Sequence, residues 1–206
     1  MTDTVETASE PLTTQRFVER TIGRLQAQYL APAPTSWARA TLAQLRRSVG
    51  QPLGSDPEIL ALVVNPDAPA TAGPATADEL AIAAALGLYA VHQQSAPTPM
   101  HVTGTSFGAA LGRIARRGGE EVPGVTRRFH AAGTAQDWGE LQHHVRGLVT
   151  LLRSERQGFH YGWFAQDLVD FQRPERRDAV TLRWGRAFYR VTSTEPASTE
   201  PTSTQN

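Results

Sequence analysis

Residues 138–153 read WGELQHHVRGLVTLLR, and this stretch decides the fold class. Its apolar residues recur every three or four positions, which is the period of an α-helix and not the alternation of a strand. One face of such a helix carries Trp138, Leu141, Val145, Leu148, Val149 and Leu152. The other side carries Gln142, His143, Arg146, Thr150 and Arg153. The stretch therefore predicts an amphipathic helix that buries one side against other helices.

The rest of the chain shows the same helical period, and no alternating stretch bounded by turns predicts a strand. Further helices are expected at residues 14–30, 36–50, 56–64, 76–94, 106–117, around 127–129, 161–172 and 174–189. We therefore expect an all-α fold, a single compact helical domain of about eight or nine helices over residues 11–191. Residues 1–10 and 192–206 are polar and acidic, with too few apolar groups to repay ordering, and we expect them to be disordered tails.

Two helix starts are predicted from the residues that cap helices. Ser36 is expected to be the N-cap of the second helix, because its hydroxyl accepts a backbone N–H well. Thr76 and Glu79 have the spacing of a capping box, which opens a long alanine-rich helix. That composition predicts a buried helix.

The composition limits the classes of function. A chain of 206 residues suits one ordinary domain, and the absence of cysteine excludes disulfides and thiolate metal sites. No apolar run approaches the roughly 18 residues of a membrane span, and the acidic beginning is unlike a signal peptide. We expect a soluble protein of the cytoplasm, with no cofactor.

The basic residues are unevenly placed. All twenty are arginines, and residues 113–190 hold fourteen of them against nine carboxylates. The formal net charge is zero, but five carboxylates lie in the two tails, so residues 11–190 carry a net charge of +5. A planar guanidinium fits two phosphate oxygens at once, so clustered arginines are typical of nucleic-acid-binding surfaces. The small overall charge favours a protein that lines a nucleic-acid path while its neighbours supply much of the affinity.

Several arginines occur as adjacent pairs or along one helix flank. We take them as candidate nucleic-acid-binding residues: Arg116, Arg117, Arg127, Arg128, Arg176, Arg177 and Arg183. Along one flank of the last predicted helix, Arg176, Arg183 and Arg190 follow one another at seven-residue intervals, a spacing that suits a row of phosphates. The alternative is that these arginines pair with Glu175 and Asp178 or lie on an ordinary solvated surface.

Residues 104–108 read GTSFG, which matches the G-x-S-x-G pattern of a hydrolase nucleophile. That mechanism needs a buried strand directly before the serine, whereas a proline-containing stretch precedes Ser106. Ser106 is therefore interpreted as a helix N-cap, and no catalytic residue is expected. Gly104, Gly108 and Gly112 leave one side of the following helix bare, which favours close packing against another helix.

The remaining polar residues do not form a recognisable metal or catalytic site. The six histidines lack the spacing of metal ligands, and His143 and His144 are adjacent and so point about 100° apart on a helix. Asp167 and Asp170 share a helix face and are interpreted as solvated. We expect no metal and no cofactor.

A set of short blocks, taken in order, resembles a known family. The blocks are LAQLRR at 42–47, GTSFG at 104–108 with GRIA at 112–115, RRF at 127–129, VRGLV at 145–149 and WGRAFY at 184–189. Over residues 16–190 the chain resembles the CasB small-subunit family of the type I-E CRISPR surveillance complex, Cascade, a system of antiviral defence.

The resemblance implies a subunit without catalytic activity that is present as a head-to-tail pair. Its implied partners are CRISPR RNA, the target and displaced DNA strands, other Cascade subunits and a second copy of the chain. Carried over by position, the candidate contacts that stabilise the R-loop are Arg46, Arg47, Arg113, Arg127, Arg128, Arg146, Arg176 and Arg177. The alternative is a stand-alone all-α DNA- or RNA-binding regulator, which would show a helix-turn-helix and bind one duplex by itself.

Overall fold

The computed structural model describes residues 11–117 and 123–190, and the regular structure in these ranges is helical, apart from one isolated β-bridge between His101 and Phe159. The described helices are α1 Thr14–Tyr29, α2 Ser36–Ser48, α3 Pro57–Val63, α4 Ala77–His92, α5 Phe107–Ala115, α6 Pro123–Gly133, α7 Trp138–Ser154, α8 Tyr161–Phe171 and α9 Pro174–Arg190. The predicted all-α class is confirmed. The tails expected at 1–10 and 192–206 lie outside the described residues. None of the described helices is long and apolar enough to cross a membrane.

Helix α4 is the centre of the first half of the fold. It contacts α1, α2, α3, α7 and α8, and most of its side chains are buried, as its alanine-rich sequence predicts. Gly87 allows α2 to come close, because an added Cβ would touch the Val49 side chain and would lie 3.4 Å from the Leu45 carbonyl oxygen. The α4 surface therefore fixes the position of α2 on one side and that of α7 on another.

The second half is organised by the contact between α5 and α9. Gly108 of α5 lies against the backbone of Trp184, and a Cβ at this position would overlap the Trp184 carbonyl group. The rings of Phe107 and Trp184 meet edge to face with centroids 5.0 Å apart, and Phe129 of α6 stacks on Phe188 at 4.2 Å. At Gly108 the bare glycine face predicted from the sequence thus serves helix packing.

The N-caps explain where two of the helices begin. Thr76 and Glu79 form the predicted capping box, with Glu79 N–H donating to Thr76 Oγ1 over 3.2 Å and Thr76 N–H donating to Glu79 Oε2 over 2.7 Å. The prediction of Ser36 as a cap is wrong by one residue. Thr35 has the extended backbone of an N-cap and accepts the Ala38 N–H over 3.1 Å, which leaves Ser36 as the first helical residue.

The segment before Ser106 is held in place by α8 and α1 and does not form the strand of a nucleophile elbow. It makes the isolated bridge to Phe159, and the His101 backbone exchanges two hydrogen bonds with the Gln26 side chain, of 2.9 and 3.0 Å. Ser106 Oγ accepts the Ala109 N–H over 3.3 Å. The interpretation of Ser106 as a helix cap is confirmed.

Candidate nucleic-acid interface

The eleven predicted arginines differ in what their guanidinium groups already contact. Some bond to carbonyl oxygens or carboxylates of the protein, and these bonds compete with a role at the surface. Others project into solvent. This distinction separates arginines that stabilise the fold from those that are available for an external anion.

Arg116 and Arg177 belong to the first kind. Arg116 donates to the Phe188 carbonyl over 2.8 Å, and its guanidinium lies 5.1 Å from the centre of the Phe188 ring. Arg177 donates to the Gln136 carbonyl over 2.5 Å and lies 4.7 Å over the Phe171 ring. Both side chains are half-buried. They tie α9 to α5, to α8 and to the turn before α7, so their charges are used within the fold.

Arg183 and Arg176 belong to an ion-pair network with two carboxylates of α8. Arg183 donates to Asp167 Oδ1 from Nε over 2.8 Å and from Nη2 over 2.6 Å, and Trp184 Nε1–H donates to Asp167 Oδ2 over 2.5 Å. Arg176 lies 3.1 Å from Asp170 Oδ1. The partners are thus acids of α8, and not the Glu175 and Asp178 considered from the sequence.

The interpretation of Asp167 as a solvated residue is wrong. Its side chain is buried, because Trp184 and Arg183 from α9 close over it. Burial raises the pKa of Asp167, while the Arg183 charge and the Trp184 hydrogen bond oppose that rise. The sequence shows the two acids on one helix face but not that α9 covers that face.

Three further predicted arginines have weaker attachments. Arg117 is largely exposed and pairs with Glu155 Oε2 at 2.5 Å. Arg113 donates to the neutral hydroxyl of Thr105 over 3.1 Å, and Arg46 has a long bond of 3.5 Å to the Ala90 carbonyl. Arg113 and Arg46 therefore keep a charge that no carboxylate of the described residues neutralises.

Four predicted arginines are exposed and have unoccupied guanidinium groups. They are Arg47 in the last turn of α2, Arg127 and Arg128 on α6, and Arg146 on α7. Within residues 11–117 and 123–190, no hydrogen bond, ion pair or ring contact engages any of these guanidinium groups. Guanidinium groups without an internal partner carry no internal bond that an external phosphate would have to break.

The first group of available arginines lies where α2 and α7 flank α4, and we call it the α2–α7 surface (Arg46, Arg47, Arg146 and Arg153). Arg46 reaches Ala90 of α4, and Arg153 reaches the Gln94 side chain, one turn further along, over 3.3 Å. Arg153 is absent from the predicted set. It lies seven residues after Arg146 on the polar face of α7, and that spacing is the signal that could have found it.

The second group lies on α6 and the C-terminal half of α9, and we call it the α6–α9 surface (Arg127, Arg128, Arg186 and Arg190). His130 of α6 and the Tyr189 hydroxyl of α9 meet at 2.6 Å and join the two helices. Arg127 and Arg186 each stand three residues, about one turn, before a member of this pair. Arg186 is exposed and was missed by the sequence prediction. Arg190, four residues further on and also exposed, belonged to the predicted seven-residue row but not to the predicted set of contacts.

The histidines near Ser106 are occupied by structural contacts. His160 Nδ1 accepts the Trp163 N–H over 3.0 Å, and Nε2 lies 3.3 Å from a Glu19 carboxylate oxygen. His101 Nδ1 accepts the Tyr161 N–H over 3.2 Å. In the part of the chain that the structure describes, no group of three or more histidine, aspartate or glutamate residues could hold a metal ion.

Comparisons of the sequence and of the structure with known proteins lead to the same family. Residues 41–189 match the sequence family described as CRISPR-associated protein Cse2. The crystal structure of CasB from Thermobifida fusca is 31% identical, with a TM-score of 0.73 over 87% of this chain and 99% of that one. No curated protein sequence matches the chain.

Two more distant structures share the fold. One is a chain of a CRISPR RNA-guided surveillance complex, 22% identical with a TM-score of 0.60, covering 86% of this chain and 94% of that one. The other is M. ruber CasB, 21% identical with a TM-score of 0.60, covering 87% of this chain and 94% of that one. At these identities the likeness extends to the fold alone.

Proposed function

Because the chain belongs to the Cse2 family of CRISPR-associated proteins, we propose that it works inside a CRISPR RNA-guided surveillance complex of the Cascade type and holds nucleic-acid backbones there through arginine surfaces. Cse2 is a non-catalytic structural subunit of Cascade. The protein therefore acts by binding and positioning. Its proposed partners are CRISPR RNA, the target and displaced DNA strands, the other subunits and a second copy of itself, in the cytoplasm.

The observation that carries the proposal is the set of exposed arginines without an internal partner among the described residues. Arg47 and Arg146 on the α2–α7 surface, and Arg127 and Arg128 on the α6–α9 surface, have unoccupied guanidinium groups. Arg116, Arg177 and Arg183 are left out of the proposed contact set, because their bonds hold α9 in place. The contacts are to phosphates, since a guanidinium fork matches two phosphate oxygens.

The modest charge of the protein fits this role. In RNA-guided recognition, base pairing with the guide reads the sequence, and the protein supplies charge and shape along the backbones. A displaced single strand has no pairing partner and depends on backbone contacts. A chain with a formal net charge of zero provides such contacts without binding nucleic acid tightly before assembly.

Charge reversal tests the proposal in the assembled complex. The test variants are Arg47→Glu with Arg146→Glu on one surface, and Arg127→Glu with Arg128→Glu on the other. Each lost contact to a single strand should reduce the slope of log affinity against log salt by about 0.7. R-loop lifetime should shorten by a similar factor for every matched target, because phosphate contacts carry no sequence information.

The matched control is the reversal of Arg20 and Arg24 on α1, which changes the net charge equally. Arg24 stacks on Trp37 at 4.6 Å and is thus engaged within the protein. An R-loop lifetime and salt slope that stay at wild-type values in both test variants, in complexes that assemble, would contradict the proposal. Nanomolar binding of the isolated chain to one defined duplex would instead identify a regulator.

A further inference from the structure

A cleft of about 260 Å³ opens beside the α2–α7 surface. Its walls are α4 and α7, and its third side is the loop that runs from the end of α2 to the start of α3. The volume is just below the range of about 300 to 1,000 Å³ that is usual for small-molecule sites. The cleft is therefore large enough for one flat ring system, but too small for an extended segment of a protein.

Small residues on both helices create this space. Ala83 and Ala84 on α4 and Gly139 on α7 all line the cleft, and their small size leaves room between the larger side chains of the two helices. Gly50 and Gly54 in the loop also line the cleft, and their φ angles of 84° and 99° favour glycine. The small residues of α4 and α7 and the glycines of the loop between α2 and α3 together leave the cleft open.

The chemistry of the cleft is divided between an apolar wall and a polar mouth. Leu80 and Leu88 extend the alanine wall of α4, whereas Gln142, His143 and Arg146 line the α7 side. The one carboxylate in the lining, Asp56, is engaged by the Glu58 N–H at 3.0 Å as the N-cap of α3. Arg146 has no ion pair among the described residues, so its positive charge stands beside the apolar wall.

We propose that this cleft takes one unpaired base of a single-stranded nucleic acid, with the adjoining phosphate bound by Arg146. The inference rests on the proposed function and deepens it, because it adds a site for a base to a surface for backbones. An apolar wall suits the faces of a base, and Gln142 and His143 offer hydrogen bonds to its edge. Arg47 lies on the last turn of α2, directly before the lining residue Ser48, and offers a second positive charge for the strand outside the cleft.

Charge decides between this occupant and an apolar side chain of a neighbouring subunit. A purely apolar ligand would make no use of the Arg146 charge that lines the cleft. A nucleotide fits both parts of the site, because its flat base can pack against the apolar wall while its phosphate pairs with Arg146. An apolar wall with a few polar or charged groups beside it is typical of sites that bind one small flat ligand.

Two glycines of α7 provide a matched test. Gly139 lines the cleft, so Gly139→Phe should place a ring there; among the described residues, apart from its chain neighbours and its own helix backbone, the nearest atom to the new Cβ is Asp137 Oδ1 at 3.5 Å. Gly147→Phe adds the same ring on the same helix, at an exposed position outside the cleft with nothing within 4 Å. Both variants are assayed as full chains with a short oligothymidylate and with the same oligonucleotide carrying abasic sites.

The wild type and Gly147→Phe should bind the intact oligonucleotide about tenfold more tightly than the abasic one, because an abasic sugar leaves the apolar wall of the cleft without a contact. Gly139→Phe should bind both oligonucleotides equally and weakly, with an unchanged salt slope because no phosphate contact is lost. If Gly139→Phe lowers the unfolding midpoint, Gly139→Leu places a smaller side chain in the cleft and allows the same comparison.

Equal discrimination by Gly139→Phe and Gly147→Phe would overturn the base site. So would a Gly139→Phe protein that binds oligonucleotides normally but no longer joins the complex, because that result assigns the cleft to a protein partner. In either case the Arg47 and Arg146 reversal remains a separate test, since it changes the salt slope and the cleft variants do not. The base site and the backbone surface can therefore fail independently.

Discussion

Replacing Asp167 with alanine should destabilise the protein strongly although the residue has no part in the proposed contacts. The Asp167 carboxylate is buried between α8 and α9, where it accepts two hydrogen bonds from Arg183 and one from the Trp184 indole. The substitution removes all three acceptor contacts at once. The Trp184 side chain is itself buried, so its N–H has no water to turn to.

The magnitude follows from the exposure of each partner. A buried N–H left without an acceptor costs about 1 to 3 kcal/mol. The Arg183 side chain is 49% exposed and can be rehydrated, so the loss of its ion pair adds only about 1 kcal/mol. The free energy of unfolding should thus fall by about 2 to 4 kcal/mol. Asp167→Asn keeps an acceptor for the indole and should lose about half as much.

Urea unfolding followed by tryptophan fluorescence measures both variants under the same conditions. Oligonucleotide binding, measured where the variants remain folded, should keep the wild-type salt slope, because Arg183 is assigned to internal structure. A loss below about 1 kcal/mol for Asp167→Ala would refute the reasoning that Asp167 anchors α9. A clear change in the salt slope would show that Arg183 contacts the nucleic acid after all.

Two further outcomes follow from the packing of the core. Gly108→Ala should destabilise the protein by about 1 to 3 kcal/mol, because the new Cβ overlaps the Trp184 backbone. Gly147→Ala, at an exposed position of α7, should instead raise the free energy of unfolding by up to about 1 kcal/mol. Thermal unfolding of the two variants tests this, and equal midpoints would contradict it. Burial lowers the pKa of His92 and of His101 to about 4, so the unfolded chain binds more protons than the folded one below pH 6.5. The unfolding free energy should be highest above pH 6.5 and should fall towards pH 4 by about 1.4 kcal/mol per pH unit for each histidine. Urea titrations at several pH values check this. If a His101→Asn variant kept the full pH dependence, His101 would not contribute to it.

The fold could be predicted because helix signals are local. The period of the apolar residues in α7 and the capping box at Thr76 depend only on neighbours within one or two turns. Even the error at Ser36 is a shift of one residue, between two hydroxyl side chains that can both cap a helix. What a local pattern cannot give is which helix covers which face, and the burial of Asp167 under α9 depends on that.

The candidate site could be predicted only in part, and the paired arginines show why. Adjacent residues on a helix point about 100° apart. When such a pair lies at the edge of a buried face, one side chain therefore points towards the core and the other towards solvent. Arg177 turns inward to carbonyl groups and an aromatic ring, whereas its neighbour Arg176 remains largely exposed. Arg127 and Arg128 both stay exposed because the core-facing residues of α6, Val125 and Phe129, flank them instead.

The chemistry of arginine explains why clustering alone could not separate these roles. A guanidinium has five donors on a flat surface that can stack on a ring, so it can cap a helix end or complete a buried ion pair as readily as it binds phosphate. In a chain without lysine, one residue type must do both kinds of work. Position relative to the core therefore carries the functional information that residue identity lacks. Arg146 illustrates this, because it lies on the polar face of α7, at the rim of a cleft, without a partner among the described residues. Such a position favours contact with a ligand from outside.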